Sequence, residues 1–561
     1  LIGRRANMPY EIPIDIKKEI EDIFYPMVKI RSDTNTAHEK KMEYFFMNFF
    51  EQLEYFKNNK EHYGTYPIKG DSLNRSVSWG LVKGYGADTI VLINHNDVVD
   101  IEDFKTLKDY AYSPGELEVE LQKIRGKFSA EVREDLESGQ YIFGRGTADM
   151  KAGASIQLSL LKRYSSTKNL KGNILFLSVP DEENISAGMR SAVELLDNLK
   201  QNFHLHYVIT INSEPHQRID KDTGIIYEGS VGKLMPFIYV RGSLSHAGKV
   251  FEGFNPVSLL ALIINKTNLN LELSDSISGE ASPPPTWLSI RDSKTHYDVS
   301  MPLSAYGYLS VLTLNKEPSE VLKKIKEICH EAFAELIEDM NVKYKIFAER
   351  KNKSFAMLPW EAKVVTYKEL YDEAYDNYGG KFLKDYKSIL EEAERKVKAG
   401  ESSIADVNFY LVEEIYNYIN DLAPRIVIGL APPYYPNVSN MNIKNLEDRC
   451  KNLSRKIRDF SLESFGQPYI KENYFTGISD LSYTYIENAD AVAHSLEGNM
   501  PLYGTLYSIP LDKIQNISMP CLNIGPWGKD LHKLTERVLK EDLFYKTPRI
   551  LHYVISLLLE W

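Results

Sequence analysis

Hydrophobic positions in the first part of the chain alternate between two patterns. KKEIEDIFYPMVKI and KKMEYFFMNFFEQL space them three and four residues apart, which predicts amphipathic helices between Ile14 and about Lys60. RSDTNTAHEKK, between them, offers Asp33 and Thr34 as N-caps. WGLVKGYG and DTIVLINH read as strands joined by a hairpin turn at KGYGAD, followed by a strand over 172–179, a helix over 185–200 and a strand over 206–211. Buried parallel strands are unbroken apolar runs, so the alternation predicts a three-layer α/β/α domain with a mostly parallel sheet.

The texture changes near Gly229. VGKLMPFIYVRGS alternates as a strand, NPVSLLALIINKTNL is an apolar helix, and AYGYLSVLTL and NVKYKIFAE read as strands flanking the helix PSEVLKKIKEICHEAFAELIEDM. This order predicts an inserted α+β module over 230–350. A Tyr-, Glu- and Lys-rich stretch follows as a helical insertion over 351–424. The strand RIVIGLAPPYYP then opens the second part of the catalytic domain, 425–561, whose first part is 8–229.

Composition narrows the class. At 561 residues the chain exceeds a single core, and its 43% hydrophobic and 26% charged content is ordinary for a globular protein. A net charge of −11 disfavours a nucleic-acid partner, which needs clustered Lys and Arg. No apolar run approaches the roughly 20 residues of a membrane span. The opening LIGRRAN has no apolar core region and is not read as a signal peptide, so the domain is taken to start at Met8. Cys329, Cys450 and Cys521 are scattered and odd in number, the usage of reduced, buried thiols in a cytoplasmic protein.

The candidate chemistry lies where apolar runs stop. VLINHND ends in His95 and Asp97, ILFLSVPDEEN in Asp181, Glu182 and Glu183, YVITINSEP in Glu214, and CLNIGPWGKDLH in His532, while GRGTADMKAG carries Asp149 on a glycine-rich turn. Ligands of open α/β sheets collect at the carboxyl ends of strands, and imidazoles with carboxylates suit a divalent ion. Singly, each residue reads more readily as a turn, an N-cap or a hydrogen-bonded buried histidine; their combination is what points to a metal site. Two adjacent acids repel unless a cation separates their roles, so Glu182 and Glu183 divide naturally into a base and a ligand. His552, in an apolar periodic helix, reads as structural. GRGTAD lacks the third glycine of a dinucleotide fingerprint, and Walker, HExxH and GxSxG motifs are absent.

Taken in order, these segments resemble the signature motifs of the M-twenty family of dinuclear metallopeptidases, which includes aminoacylases, desuccinylases, peptidase T and carnosinase-type dipeptidases. NHNDVVD, GRGTADMKAG, PDEEN, INSEP and GPWGKDLH match its metal-site motifs, RGSLSHAGKVFEGFNP its lid motif with the spacing to Asn255, and GISD at 477–480 a less specific one. Length and the middle insertion resemble the branch of the arginine-utilisation protein RocB. The resemblance implies two divalent ions, zinc foremost and manganese or cobalt as alternatives. His95, Asp149 and Glu214 would hold one, and Asp149, Glu183 and His532 the other. It implies Glu182 as general base, Asp97 orienting His95, and His246 of the lid stabilising an oxyanion, often across a homodimer. It also implies a cis peptide after the bridging aspartate, Asp149–Met150.

The expected activity is hydrolysis of a peptide or N-acyl amide bond in a small amino-acid-derived substrate by metal-activated water, as in an aminoacylase, dipeptidase or carboxypeptidase. A carbamoyl or ester bond, or a metal-binding relative without catalysis, are the alternatives. One departure concerns the substrate: the lid strand SVLTL lacks the arginine with which many relatives hold a substrate carboxylate. Arg291, in LSIRDSK, is the substitute considered, with Asn255 as the second substrate-binding residue. The apolar helix Pro256–Leu269 suits a dimer contact and a core face alike.

Overall fold

A computed structural model describes residues 16–560; the opening LIGRRAN segment and Met8 lie outside them. The described residues divide into two compact units, one made of 16–230, 438–487 and 512–560 and the other of 231–437 and 488–511.

The first unit is built on an eight-stranded sheet. Its order is Tyr63–Pro67, Ser76–Lys83, Lys171–Val179, Tyr85–His95, His206–Asn212, Cys521–Asn523, Gly224–Tyr227 and Tyr469–Glu472. The central strands Lys171–Val179, Tyr85–His95, His206–Asn212 and Cys521–Asn523 pair in parallel, so their carboxyl ends share one edge. The expected hairpin at KGYGAD does not form. Ser76–Lys83 pairs antiparallel with Lys171–Val179, which lies between it and Tyr85–His95. Gly84 makes the reversal without pairing, because a Cβ there would lie 2.2 Å from the Leu170 carbonyl oxygen.

Alternation along the strands sends Ile90, Leu92, Ile174, Phe176, Ile209 and Ile211 into one core with the helices Ile16–Val28, Ala152–Ser165 and Thr547–Leu558. Asp33 and Thr34 cap neither early helix; the second spans Lys40–Gln52 and its N-cap is Glu39. His552 is structural as expected, buried with its Nδ1 2.8 Å from the Tyr164 hydroxyl. All three cysteines are buried and unpaired.

The second unit carries a five-stranded sheet in the order Thr286–Asp292, Ser304–Thr313, Gly232–Arg241, Arg425–Tyr435 and Val364–Thr366, antiparallel except for the last pair. Arg425–Tyr435, assigned from sequence to the second part of the catalytic domain, is thus a strand of this sheet, paired along Gly232–Arg241. NVKYKIFAE is not a strand either. It completes a 33-residue helix, Pro318–Arg350, because no Gly or Pro interrupts it and Asn341 and Ala348 continue the buried stripe of Ile325, Cys329 and Phe333. The Tyr-rich insertion supplies the helices Tyr367–Lys398 and Val407–Ile415, which cover one face of this sheet. Phe409 stacks on Tyr306 at 4.4 Å between ring centroids and meets Phe237 edge-on at 5.9 Å. Among the described residues no helix is long and apolar enough to cross a membrane.

Candidate metal centre

Parallel pairing brings His95, the DEEN turn and Glu214 to one edge of the large sheet, since they follow neighbouring strands. A small antiparallel sheet delivers the rest. Tyr141–Phe143, which leads into the Asp149 turn, pairs with Arg537–Leu539, which pairs with Gly528–Lys529; His532 sits in the loop between the last two. The turn itself uses Gly146 at φ +72°, and Asp149–Met150 is cis, as the resemblance implied.

Asp149 is held by a residue that sequence reasoning missed. One Glu536 oxygen accepts from the amides of Ala148 (3.1 Å) and Asp149 (3.2 Å), and the other from Arg145 Nη1 (2.8 Å). Arg145 also donates to Asp103 Oδ1 at 2.8 Å. Glu536 and Arg145 are each 1% exposed, a buried pair whose remaining valences are satisfied by backbone and carboxylate. The sequence offers little signal for the pair: Arg145 lies inside GRGTADMKAG, and Glu536 stands four residues beyond His532.

Asp97, expected to orient His95, also reaches the acidic turn. Its carboxylate lies 3.6 Å from His95 Nδ1, whose nearer partner is the Asp97 carbonyl oxygen at 3.1 Å. The two carboxylate oxygens instead accept from the amides of Glu182 and Glu183, each at 3.1 Å. Asp97 therefore ties the acidic turn to the strand end that carries His95.

Glu214 is fixed from three sides. Its Oε1 accepts from Asn212 Nδ2 (2.8 Å) and the Ser479 hydroxyl (3.0 Å), and its carbonyl accepts from Asn523 Nδ2 (3.2 Å). Ser479 gives the GISD segment a purpose. Two motif glycines permit the close approach: a Cβ on Gly153 would lie 2.1 Å from the Ser213 carbonyl oxygen, and one on Gly525 2.1 Å from that of Glu214.

The functional atoms converge. His95 Nε2 is 2.9 Å from Asp149 Oδ1, while His532 Nε2 is 3.3 Å from Asp149 Oδ2 and 3.2 Å from Glu183 Oε1. Donor atoms of His95, Asp149 and Glu183 all lie within 4.8 Å of one another. Glu214 stands outside that tightest group but within electrostatic reach of Asp149 and His95.

Charge is crowded here. Burial, reinforced by the Asp149 charge, pushes the Glu214 carboxyl up to about 8 and raises that of Glu183. Burial raises Glu182 well above the usual range, with Glu214, Glu183 and Asp480 adding to it and His95 opposing. Asp480, also buried, is pushed up to about 7. His532 rises to about 10 because Asp149 and Glu183 accept from it, and the two imidazoles hold Asp149 below the ordinary carboxylate range against its burial. So many buried acids are costly together unless protons or cations neutralise them, and the oxygen and imidazole donors suit a borderline divalent ion. The residues fit such ions.

The remaining candidates lie on the second unit. His246 is exposed, and its Nδ1 accepts from the Gly248 amide at 3.0 Å, so in the neutral ring the proton sits on Nε2. Asn255 Oδ1 accepts from Val257 N at 3.0 Å, capping the helix Pro256–Thr267. Arg291, on the edge strand Thr286–Asp292, pairs with Asp406 at 3.3 Å and is 59% exposed, so any substrate carboxylate there would have to displace an existing partner.

Paired histidines and carboxylates at the carboxyl edge of a mostly parallel sheet, with a second antiparallel sheet alongside in the chain, are the build of a metallohydrolase. Residues 118–543 match the model of Peptidase family M20/M25/M40, and the chain belongs to that family. It is 31% identical over 554 residues to YqjN of Bacillus subtilis, covering 97% of each chain, and 28% identical over 550 residues to RocB of the same bacterium, covering 97% of this chain and 95% of RocB. In fold it is similar to a tripeptidase from Staphylococcus aureus (TM-score 0.51, 13% identity, 97% of this chain and 99% of that one). It is similar also to the metallo-carboxypeptidase Sso-CP2 from Sulfolobus solfataricus (TM-score 0.52, 10% identity, 97% and 100%).

Proposed function

We propose that this protein is a metal-dependent hydrolase that cleaves a peptide or N-acyl amide bond in a small amino-acid-derived substrate. One observation carries the reading: Asp149 presents different carboxylate oxygens to two histidines, Oδ1 to His95 and Oδ2 to His532, the disposition required of a ligand shared by two ions. His95, Asp149 and Glu214 would hold one ion and Asp149, Glu183 and His532 the other. Divalent ions bound there, zinc foremost and manganese or cobalt as alternatives, supply Lewis acidity and lower the pKa of water.

The chain's own residues do the rest. Glu182 is half-buried, and burial raises its carboxyl well above the usual range; it is the proposed base that takes a proton from water and returns it to the leaving nitrogen. Asp97 keeps that base and His95 in register through the amides of Glu182 and Glu183. His246, with its proton on Nε2, is the proposed donor to the developing oxyanion, from the same chain or from a partner in a homodimer. The peptidases that share the fold agree with an amide as the scissile bond.

The test is a panel of N-acyl amino acids and dipeptides with added zinc, manganese or cobalt, run on the native chain and on Glu182→Ala. Loss of the base should lower turnover by about 10²–10⁴-fold with metal content intact. Activity that survives this change would sink the assignment of the base.

A further inference from the structure

Glu182 and Glu183 follow Asp181 in a turn that backbone preference alone would not choose. Asp181 has φ +72° and Ser186 φ +51°, both in the left-handed region that non-glycine residues seldom occupy. Like charges stand side by side on that turn and oppose its closure. Side chains compensate. The Asp181 carboxylate accepts from the amide of Ala187 (3.0 Å) and from Asn184 Nδ2 (3.1 Å), and the Asp181 carbonyl accepts from the Ser186 amide at 2.7 Å. Glu39, from the N-cap of the Lys40–Gln52 helix, accepts the Asp181 amide at 2.9 Å.

Two of these supports are themselves buried carboxyl groups, and a single guanidinium joins them. Arg75 stands just before the strand Ser76–Lys83 and is 5% exposed. Its Nη1 donates to Glu39 Oε1 at 2.8 Å and to Asp181 Oδ1 at 2.6 Å. Nε and Nη2 donate to Asp71, whose Oδ2 also accepts the Arg75 amide at 2.7 Å, so the guanidinium is aimed before it meets the turn. A planar fork can serve three carboxylates from one centre; an ammonium cannot reproduce that pattern. Arg75, Asp71 and Glu39 match none of the motifs that mark the metal centre.

We propose that Arg75 is the positioning residue of the Glu182–Glu183 turn, holding it through Glu39 and Asp181 so that the base and the ligand it carries meet the groups presented by His95 and Asp149. The inference rests on the reading of Glu182 as base and Glu183 as ligand. It adds the cation that makes their placement possible. The Arg75 side chain donates to Asp71, Glu39 and Asp181 rather than to the proposed ligands, and acts by fixing the turn.

The test compares the full-length protein with Arg75→Lys and Arg75→Ala by three measurements. Amide hydrogen exchange should rise in the segment 180–188 and stay unaltered in the helices of the second unit. Titration with zinc alone should show one of two binding events weakened by about 10–100-fold, as for loss of a supporting partner of a ligand. On the best amide substrate kcat should fall by about 100-fold with KM little changed, the cost of a misplaced group. Guanidinium ions added to Arg75→Ala should restore turnover, and should do nothing for Glu182→Ala. Unchanged exchange in 180–188, or protection lost uniformly with no rescue by guanidinium, overturns the proposal. If Arg75→Ala does not fold, Glu39→Gln is read by the same exchange experiment, and an unaltered turn there also overturns it. Failure of the native protein to bind zinc or cleave any amide refutes the functional reading instead, while the exchange measurement still judges the strap.

Discussion

The unit that carries His95 and the unit that carries His246 both pair a sheet with helices, but they weight their interiors differently, although the second also buries a charge, Arg425, on Glu373 and Asp421. In the first, charge is buried at strand ends: Arg75, Asp97, Arg145, Asp181 and Glu536 are each almost fully enclosed and hydrogen-bonded to one another or to backbone amides. In the second, aromatic rings fill the face covered by the insertion, where Tyr239 stacks on Tyr306, and Tyr306 and Tyr308 on Phe409. Its candidate chemistry is at the surface, on His246 and Arg291. The difference separates two tasks. Fixing ionic groups before a reaction requires buried polar networks, which cost stability unless complete. Packed rings supply stability and ask for no counter-ion.

The largest effect that tests this division is on folding. Phe409→Ala removes a ring that is 5% exposed and touches three aromatic neighbours, and should cost about 3–5 kcal/mol, read as a lower midpoint in chemical denaturation. Zinc binding by the folded protein should be unaltered. A parallel loss of zinc affinity would mean that aromatic packing and the ionic centre are not separate devices.

His246→Ala probes the same contrast from the other direction. Loss of an oxyanion donor should raise the barrier by about 2.7–4 kcal/mol, seen as lower kcat with metal content and thermal midpoint close to the native values, because the side chain is exposed and its hydrogen bond is local. An unaltered kcat would leave the second unit without a part in the chemistry.

These contrasts also explain what could be read from the chain beforehand. His95, Glu183, Glu214 and His532 each end or follow a short apolar run and Asp149 stands on a glycine-rich turn, so local pattern made them candidates and the family resemblance supplied their expected roles. Glu536 and Arg75 have no such frame, because their partners, Arg145 and Asp181, are distant in sequence and the pairing exists only after the sheet has formed. Strand order failed for the same reason. Lys171–Val179 enters between two strands that are consecutive in sequence, and Arg425–Tyr435 joins the second sheet through pairing with residues nearly two hundred positions earlier. NVKYKIFAE is β-branched and aromatic enough to look like a strand, and helical continuity from Pro318 prevailed.

The smallest predicted effect is on pH dependence, and it separates the two units most directly. In metal-free protein the Glu214 carboxyl is raised to about 8 by burial and the Asp149 charge, against roughly 4.3 in an unfolded chain. The folded state then holds a proton that the unfolded state has lost, so stability is fully present below the unfolded value and declines as pH rises toward 8. His532, raised to about 10 by its bonds to Asp149 and Glu183, acts with the same sign from roughly 6.5 upward. Asp149, held low, has the opposite sign, but its contribution changes only in acid, below the range of the other two. Between about pH 5 and 8 the thermal midpoint of chelator-treated protein should therefore fall. With zinc bound the trend should reverse, because ligands must be deprotonated to bind and proton competition weakens as pH rises. Glu214→Gln should flatten the metal-free decline, while Phe409→Ala should lower the whole curve and leave its slope alone. A metal-free midpoint that climbs across this window would contradict a centre whose buried acids wait on a cation.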